Sequence, residues 1–181
     1  RDEGKYGKLL SKNGIKVYAL NMMPGRFSFL ALYKLIRIIK SEKVNIVQTW
    51  LYHADFFGGI AARLAGVKNL IWNIRHSNFD KNYPNKNLLI LVKLLAKLSF
   101  FLPKKMIFCS KNSIKIHKKI GYQSKKIDYV PNGYDLHKFR IFNLKQINLT
   151  KKFKRKKEVP LLGCVARFHP QKDHENLLRA L

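Results

Sequence analysis

Tyr129-Val130-Pro131-Asn132-Gly133-Tyr134-Asp135-Leu136-His137-Lys138-Phe139 divides the chain: before it strand and helix signals alternate, and after it the alternation begins afresh. Ile127 to Val130 reads as a strand, which Pro131 stops because proline offers no ladder donor and fixes its own φ. Asn132-Gly133 follows as a turn, since glycine adopts positive φ at little cost and asparagine tolerates it better than most residues. The stretch is read as a hinge, with Pro131, Asn132 and Gly133 its working residues.

Downstream, residues 141 to 158 form a polar spacer ending in Lys151-Lys152-Phe153-Lys154-Arg155-Lys156-Lys157, a run of like charge that repels itself and resists packing. Leu161 to Ala166 then has the length and apolarity of a buried strand, and Glu175 to Leu181 reads as a helix. Arg167 and Lys172 flank the loop between them. Two cations beside a helix N-terminus make a diphosphate site, because free N–H groups and the helix dipole both favour anions. On the residues alone they are equally two solvated charges of a basic protein.

Upstream, Tyr6 to Asn13 reads as a helix tail with Gly14 at its left-handed cap, followed by a strand over Ile15–Leu20 and an amphipathic helix over Phe27–Lys40. Strands over Val44–Thr49, Asn69–Ile74 and Met106–Cys109 alternate with helices over Ala54–Ala65, Leu88–Leu102 and Asn112–Lys119, the last capped by Ser110. Crossovers of this length argue for an α/β fold with a Rossmann-like, doubly wound parallel sheet. Such sheets bind ligands beyond the carboxyl ends of their strands. The positions just after each strand are Trp50, Tyr52 and His53; His76 and Ser77; Ser110 and Lys111; Asn132 and Gly133; and Arg167. The set is polar, aromatic and basic, as a hydroxylated, phosphate-bearing ligand requires.

Val130-Pro131-Asn132-Gly133-Tyr134-Asp135, the spacer, and Val165-Ala166-Arg167-Phe168-His169-Pro170-Gln171-Lys172 together resemble the interdomain segment and donor-site opening of glycosyltransferase family 4, which has the GT-B architecture. The resemblance implies three parts: residues 1–139 as the acceptor-side Rossmann-like domain with its hinge, 140–158 as a basic linker, and 159–181 as the first strand and helix of a second, donor-binding Rossmann-like domain. Arg1 is not a methionine and Leu181 falls inside an apparent helix, so the chain reads as cut at both ends and inactive alone. The implied reaction moves a sugar from a nucleotide-diphosphate-sugar donor to an acceptor hydroxyl with retention of configuration, in cell-surface polysaccharide or glycolipid synthesis. Arg167 and Lys172 would hold the donor diphosphate. Ala166 stands where the family usually places glycine. By the same resemblance His76 is the catalytic candidate, beside the transferred sugar, and His53 and Tyr52 are acceptor contacts. For His53 capping or packing at the helix start is an equal alternative, and aromatic residues at strand ends are commonly core.

The formal charge of +27, from 37 Lys and Arg against 10 Asp and Glu, draws the chain toward polyanions. A nucleic-acid-binding module is therefore the rival class, although the lysines are spread along the chain and no RNP, KH, zinc-finger or basic-zipper pattern is present, so no specific nucleic acid is expected. An anionic membrane surface and a phosphate-bearing substrate account for the charge equally well. Leu88 to Leu102 is too short to span a bilayer, and its Lys93 and Lys97, with Lys86 before and Lys104-Lys105 after, suit either an interfacial helix or a core helix with a wetted stripe. Cys109 and Cys164 sit in apolar runs, which points to buried thiols and a reducing cytoplasm, and the interfacial alternative for the basic helix would set the protein peripherally at the inner face of the membrane. Neither paired metal-ligand spacings nor an Asp-X-Asp occur, so neither metal nor other cofactor is expected beyond the nucleotide-sugar substrate. The scattered acids do not suggest the paired carboxylates of a glycoside hydrolase.

Overall fold

A computed structural model of the chain describes residues 4–22, 27–76, 86–137 and 162–181. The spacer at 140–158, with Ser77, lies outside them. The chain forms two compact units, Arg1–Gly133 and Tyr134–Leu181.

In the first unit helices α1 (Gly4–Lys12) and α2 (Phe29–Ser41) precede strand β1 (Ile46–Trp50). Then follow α3 (Tyr52–Leu64), β2 (Asn69–Ile74), α4 (Lys86–Leu98), β3 (Lys105–Phe108), α5 (Lys111–Ile120), a 3-10 turn at Ser124–Lys126 and β4 (Ile127–Tyr129). All pairings are parallel and the strand order is β1-β2-β3-β4. The register sets Thr49 beside Trp72, Trp72 beside Met106 and Ile74 beside Phe108, so one sheet face presents a continuous apolar layer. Leu70, Trp72, Ile74, Met106 and Phe108 in that layer are fully buried, with Ala61 and Ala62 of α3 and Val92, Leu95 and Ala96 of α4 in the same core. Burying each such large side chain stabilises the fold by roughly 1.5–3 kcal/mol.

Helix α3 lies close to the sheet because Gly58 and Gly59 face it. A side chain on Gly58 would come within 3.1 Å of the Thr49 methyl, and one on Gly59 within 3.4 Å of the Trp72 indole nitrogen. Ser28 and Ser110 cap α2 and α5, each accepting from a backbone N–H three residues on. Gly121 ends α5 at φ 108°, a conformation that side-chain-bearing residues rarely adopt. The Rossmann-like α/β fold expected from the sequence is the one observed.

Four local expectations are corrected. Residues 15–20 form no strand: β1 pairs with β2, and the 15–20 segment is instead held by side chains, Lys16 and Tyr18 both bonding the Glu42 carboxylate at 2.6 and 2.5 Å. Alternating apolar residues supply a face, but a strand also needs a neighbour. The same holds for Leu161–Ala166, where residues 162–166 have no ladder among the described residues and Val165 is fully exposed. Gly133 does not take a positive φ. The turn falls instead at Leu136-His137, where the Asp135 carboxylate accepts from the His137 N–H at 3.1 Å. Cys109 is half-buried as a free thiol, but Cys164 is exposed.

Candidate functional site

Beyond β1 the chain turns into α3 through Leu51, whose φ of 77° and ψ of 150° lie in a region that residues other than glycine enter only under strain. Helix α3 starts directly after Leu51, at Tyr52, two residues before the expected Ala54. Tyr52 is buried, whereas His53 beside it is exposed. The Tyr52 hydroxyl lies 2.8 Å from Nε2 of His117 on α5, and Nδ1 of His117 lies 2.8 Å from the Ser113 carbonyl. A carbonyl can only accept, so Nδ1 carries the proton and Nε2 accepts from Tyr52. His117 is fully buried, and that burial pushes its pKa down to about 4, keeping the ring neutral at physiological pH.

His76, after β2, is half-buried at the same end of the sheet. Its main-chain carbonyl accepts from the Ser113 hydroxyl at 2.7 Å, and its ring meets the Tyr52 ring edge-on with centroids 6.4 Å apart. Tyr52, Ser113 and His117 thus form a buried frame on which His76 is mounted. This frame gives Tyr52 a supporting place behind His76, and its hydroxyl is turned inward to His117.

Next to His76, the Arg75 guanidinium packs over the Trp50 ring, 4.8 Å from its centroid. It donates through Nε to the Asn73 side chain at 2.8 Å and through a terminal nitrogen to the side-chain oxygen of Asn132. Pro131, Asn132 and Gly133, expected as a hinge, are exposed, and Asn132 is tied back to the sheet through Arg75. Below this rim, Asp55 is fully buried, accepting from the Thr49 hydroxyl at 2.5 Å through Oδ1. Its Oδ2, the Trp72 Nε1 and the Tyr122 hydroxyl are buried without hydrogen-bond partners among the described residues. Desolvation raises the Asp55 pKa to about 7, and it also pushes the Tyr122 phenol up.

In the second unit Arg167 and Lys172 are both exposed on the loop that runs through a 3-10 turn at Pro170–Lys172 into the short helix α6 (His174–Arg179). His174 fixes the loop from the helix side: its Nε2 donates to the Arg167 carbonyl at 2.9 Å and its ring stacks on Phe168. Asp173, at φ 51°, precedes the helix without a side-chain cap bond.

The sequence reading named His76, His53, Arg167 and Lys172, and each sits on a loop or element start. It did not name Arg75, whose role depends on a partner 57 residues away. Nor did it name His117, although a histidine four residues after Ser113 on the apolar side of α5 is a signal of a buried polar pair. Asp55 carried a similar signal as the one acid of a largely apolar helix.

Polar and aromatic side chains gathered at the carboxyl ends of a parallel sheet define a Rossmann-like protein of the ligand-binding kind. The profile of Glycosyltransferase Family 4 matches residues 4–138, and the chain belongs to that family. It is 34% identical over 121 residues to the Escherichia coli UDP-Gal:alpha-D-GlcNAc-diphosphoundecaprenol alpha-1,3-galactosyltransferase, a match covering 62% of this chain and 28% of that protein. The fold resembles Anabaena Alr3699/HepE, solved with UDP-glucose, at a TM-score of 0.62 and 18% identity over 83% of this chain and 40% of HepE. It also resembles S. aureus MnaA, solved with UDP, at a TM-score of 0.51 and 22% identity over 86% of this chain and 42% of MnaA. The chain thus spans less than half the length of each of these proteins.

Proposed function

We propose that the protein, at the length of its relatives, is a retaining hexosyl-type glycosyltransferase that moves a sugar from a nucleotide-diphosphate donor to a hydroxyl of a lipid-linked acceptor. The family match over residues 4–138 carries this reading. The activity of the Escherichia coli relative, with a UDP-sugar donor and a diphosphoundecaprenol-linked acceptor, supports the substrate classes and a place in cell-surface polysaccharide or glycolipid synthesis. With such an acceptor the proposed site of action is the inner face of a membrane, exposed to the cytoplasm.

Breaking the bond between sugar and diphosphate leaves negative charge on the diphosphate oxygens. Fixed cations lower the barrier by meeting that charge as it develops. Arg167 and Lys172 serve this role: Arg167 forks onto two oxygens, and Lys172 adds a point charge. Holding the Arg167 main chain through His174 lowers the entropy lost on binding. His76 bonds a hydroxyl of the transferred sugar, and the exposed His53 contacts the acceptor.

Steady-state kinetics on the full-length protein test this, with donor and acceptor varied separately. Arg167→Ala and Lys172→Ala each lower turnover on the order of 10² while the acceptor Michaelis constant stays fixed. Near-normal turnover, or a defect confined to the acceptor constant, refutes the assignment.

A further inference from the structure

Helix α4 has two faces. Val92, Leu95 and Ala96 point into the core, while Lys86, Ile90, Lys93, Leu94 and Lys97 form an exposed stripe on the other side. The turn closing α4 extends the stripe with Phe100 and Phe101. Ile90 is 65% exposed and Phe101 79%, high values for large apolar side chains on a helix already supplying a core face.

The turn bearing these phenylalanines is fixed from behind. Lys126 donates to the carbonyls of Ser99 and Phe100 at 3.2 and 2.6 Å, and the Ser99 hydroxyl accepts from the Gln123 N–H at 2.9 Å while donating to the Ala96 carbonyl at 2.6 Å. Phe101 is therefore held outward by a hydrogen-bonded turn, so little order is lost when it is buried elsewhere. The stretch of chain that carries this face has charge of one sign: residues 86–126 contain eleven lysines and no acidic residue.

We infer that this face, Ile90, Leu94 and Phe101 rimmed by Lys86, Lys93 and Lys97, docks on a bilayer surface bearing anionic headgroups. An apolar ridge edged by flexible cations, without the bidentate donors that read a defined anion, matches the boundary between acyl chains and phosphates. No helix among the described residues is long and apolar enough to cross a membrane, so the contact is one of lying on the surface. The inference extends the proposed lipid-linked acceptor, since docking brings the protein to the layer where that acceptor resides. Its measurement requires no sugar transfer, so it stands or falls independently of the reaction.

The test is co-sedimentation of the full chain with phosphatidylcholine vesicles, with and without phosphatidylglycerol. Phosphatidylglycerol vesicles should bind it and pure phosphatidylcholine vesicles far less. Exchanging Lys86, Lys93 and Lys97 together for Gln should weaken binding by about a hundredfold, at about fivefold per charge. Phe101→Ser should weaken it further, and in Phe101→Trp the added indole emission should shift to the blue on binding. Circular dichroism checks that each variant is folded. Equal binding to both vesicle types overturns the inference. So does a Phe101→Ser variant that binds vesicles as the parent does while the lysine exchanges abolish binding to single-stranded RNA, because the face is then a polyanion site.

Discussion

Asp55 and His117 give the first unit two buried titrations of opposite sign, and Asp55→Asn separates them. The folded state raises Asp55 from 3.8 to about 7, so it binds that proton more tightly than the unfolded chain. The resulting stability is fully present below about pH 4 and is lost as pH rises to about 7, a total of about 4 kcal/mol at 1.36 kcal/mol per unit. His117 is lowered from 6.5 to about 4, so the unfolded chain binds its proton more tightly. Stability therefore rises by about 3 kcal/mol as pH climbs from about 4 to 6.5. The two slopes largely offset one another, and the parent protein should show a nearly level profile across that window. Asp55→Asn keeps the acceptor for Thr49 and removes the titration, so it should uncover the rising limb of His117. His117→Gln should uncover the falling limb of Asp55. Urea denaturation between about pH 4.5 and 7.5, at constant ionic strength, measures all three. Glu42, held below its usual range by bonds from Lys16 and Tyr18, contributes only toward the acid end. Parent and Asp55→Asn profiles of the same slope would show that Asp55 ionises as an ordinary carboxylate.

Leu51→Gly should stabilise the unit by about 1 kcal/mol in the same assay, because glycine holds the φ of 77° without strain and the leucine side chain is exposed. Arg63→Ala should cost about 2–3 kcal/mol. Its guanidinium bonds the carbonyls of Leu102, Val67 and Lys68, joining the end of α3 to the turn before β3, and a lower urea midpoint with unchanged m-value is the expected sign.

Much of the fold was legible because parallel strands announce themselves through long crossovers and apolar runs. Asn69–Ile74 was read to the residue, and Ile127–Tyr129 lost only Val130. Strands whose neighbours the pattern did not identify were not legible: residues 15–20 have the composition of a strand and lack its partner. Within the candidate site, histidines after strands were found by topology. Arg75 and the Tyr52–His117 pair were not, because their meaning lies in contacts 57 and 65 residues apart that no local spacing encodes. The turn after Pro131 was misplaced because asparagine and glycine permit a reversal without requiring one.

The grip of Arg75 on Asn132 is an anchor. Moving Asn132 away from the sheet means detaching a guanidinium that is also bonded to Asn73 and packed on Trp50, so the chain through Asn132 is anchored to the end of β2. Gly133 follows with open space where a side chain would stand. Losing the Arg75 guanidinium would therefore release three contacts at once, those to Asn73, Trp50 and Asn132.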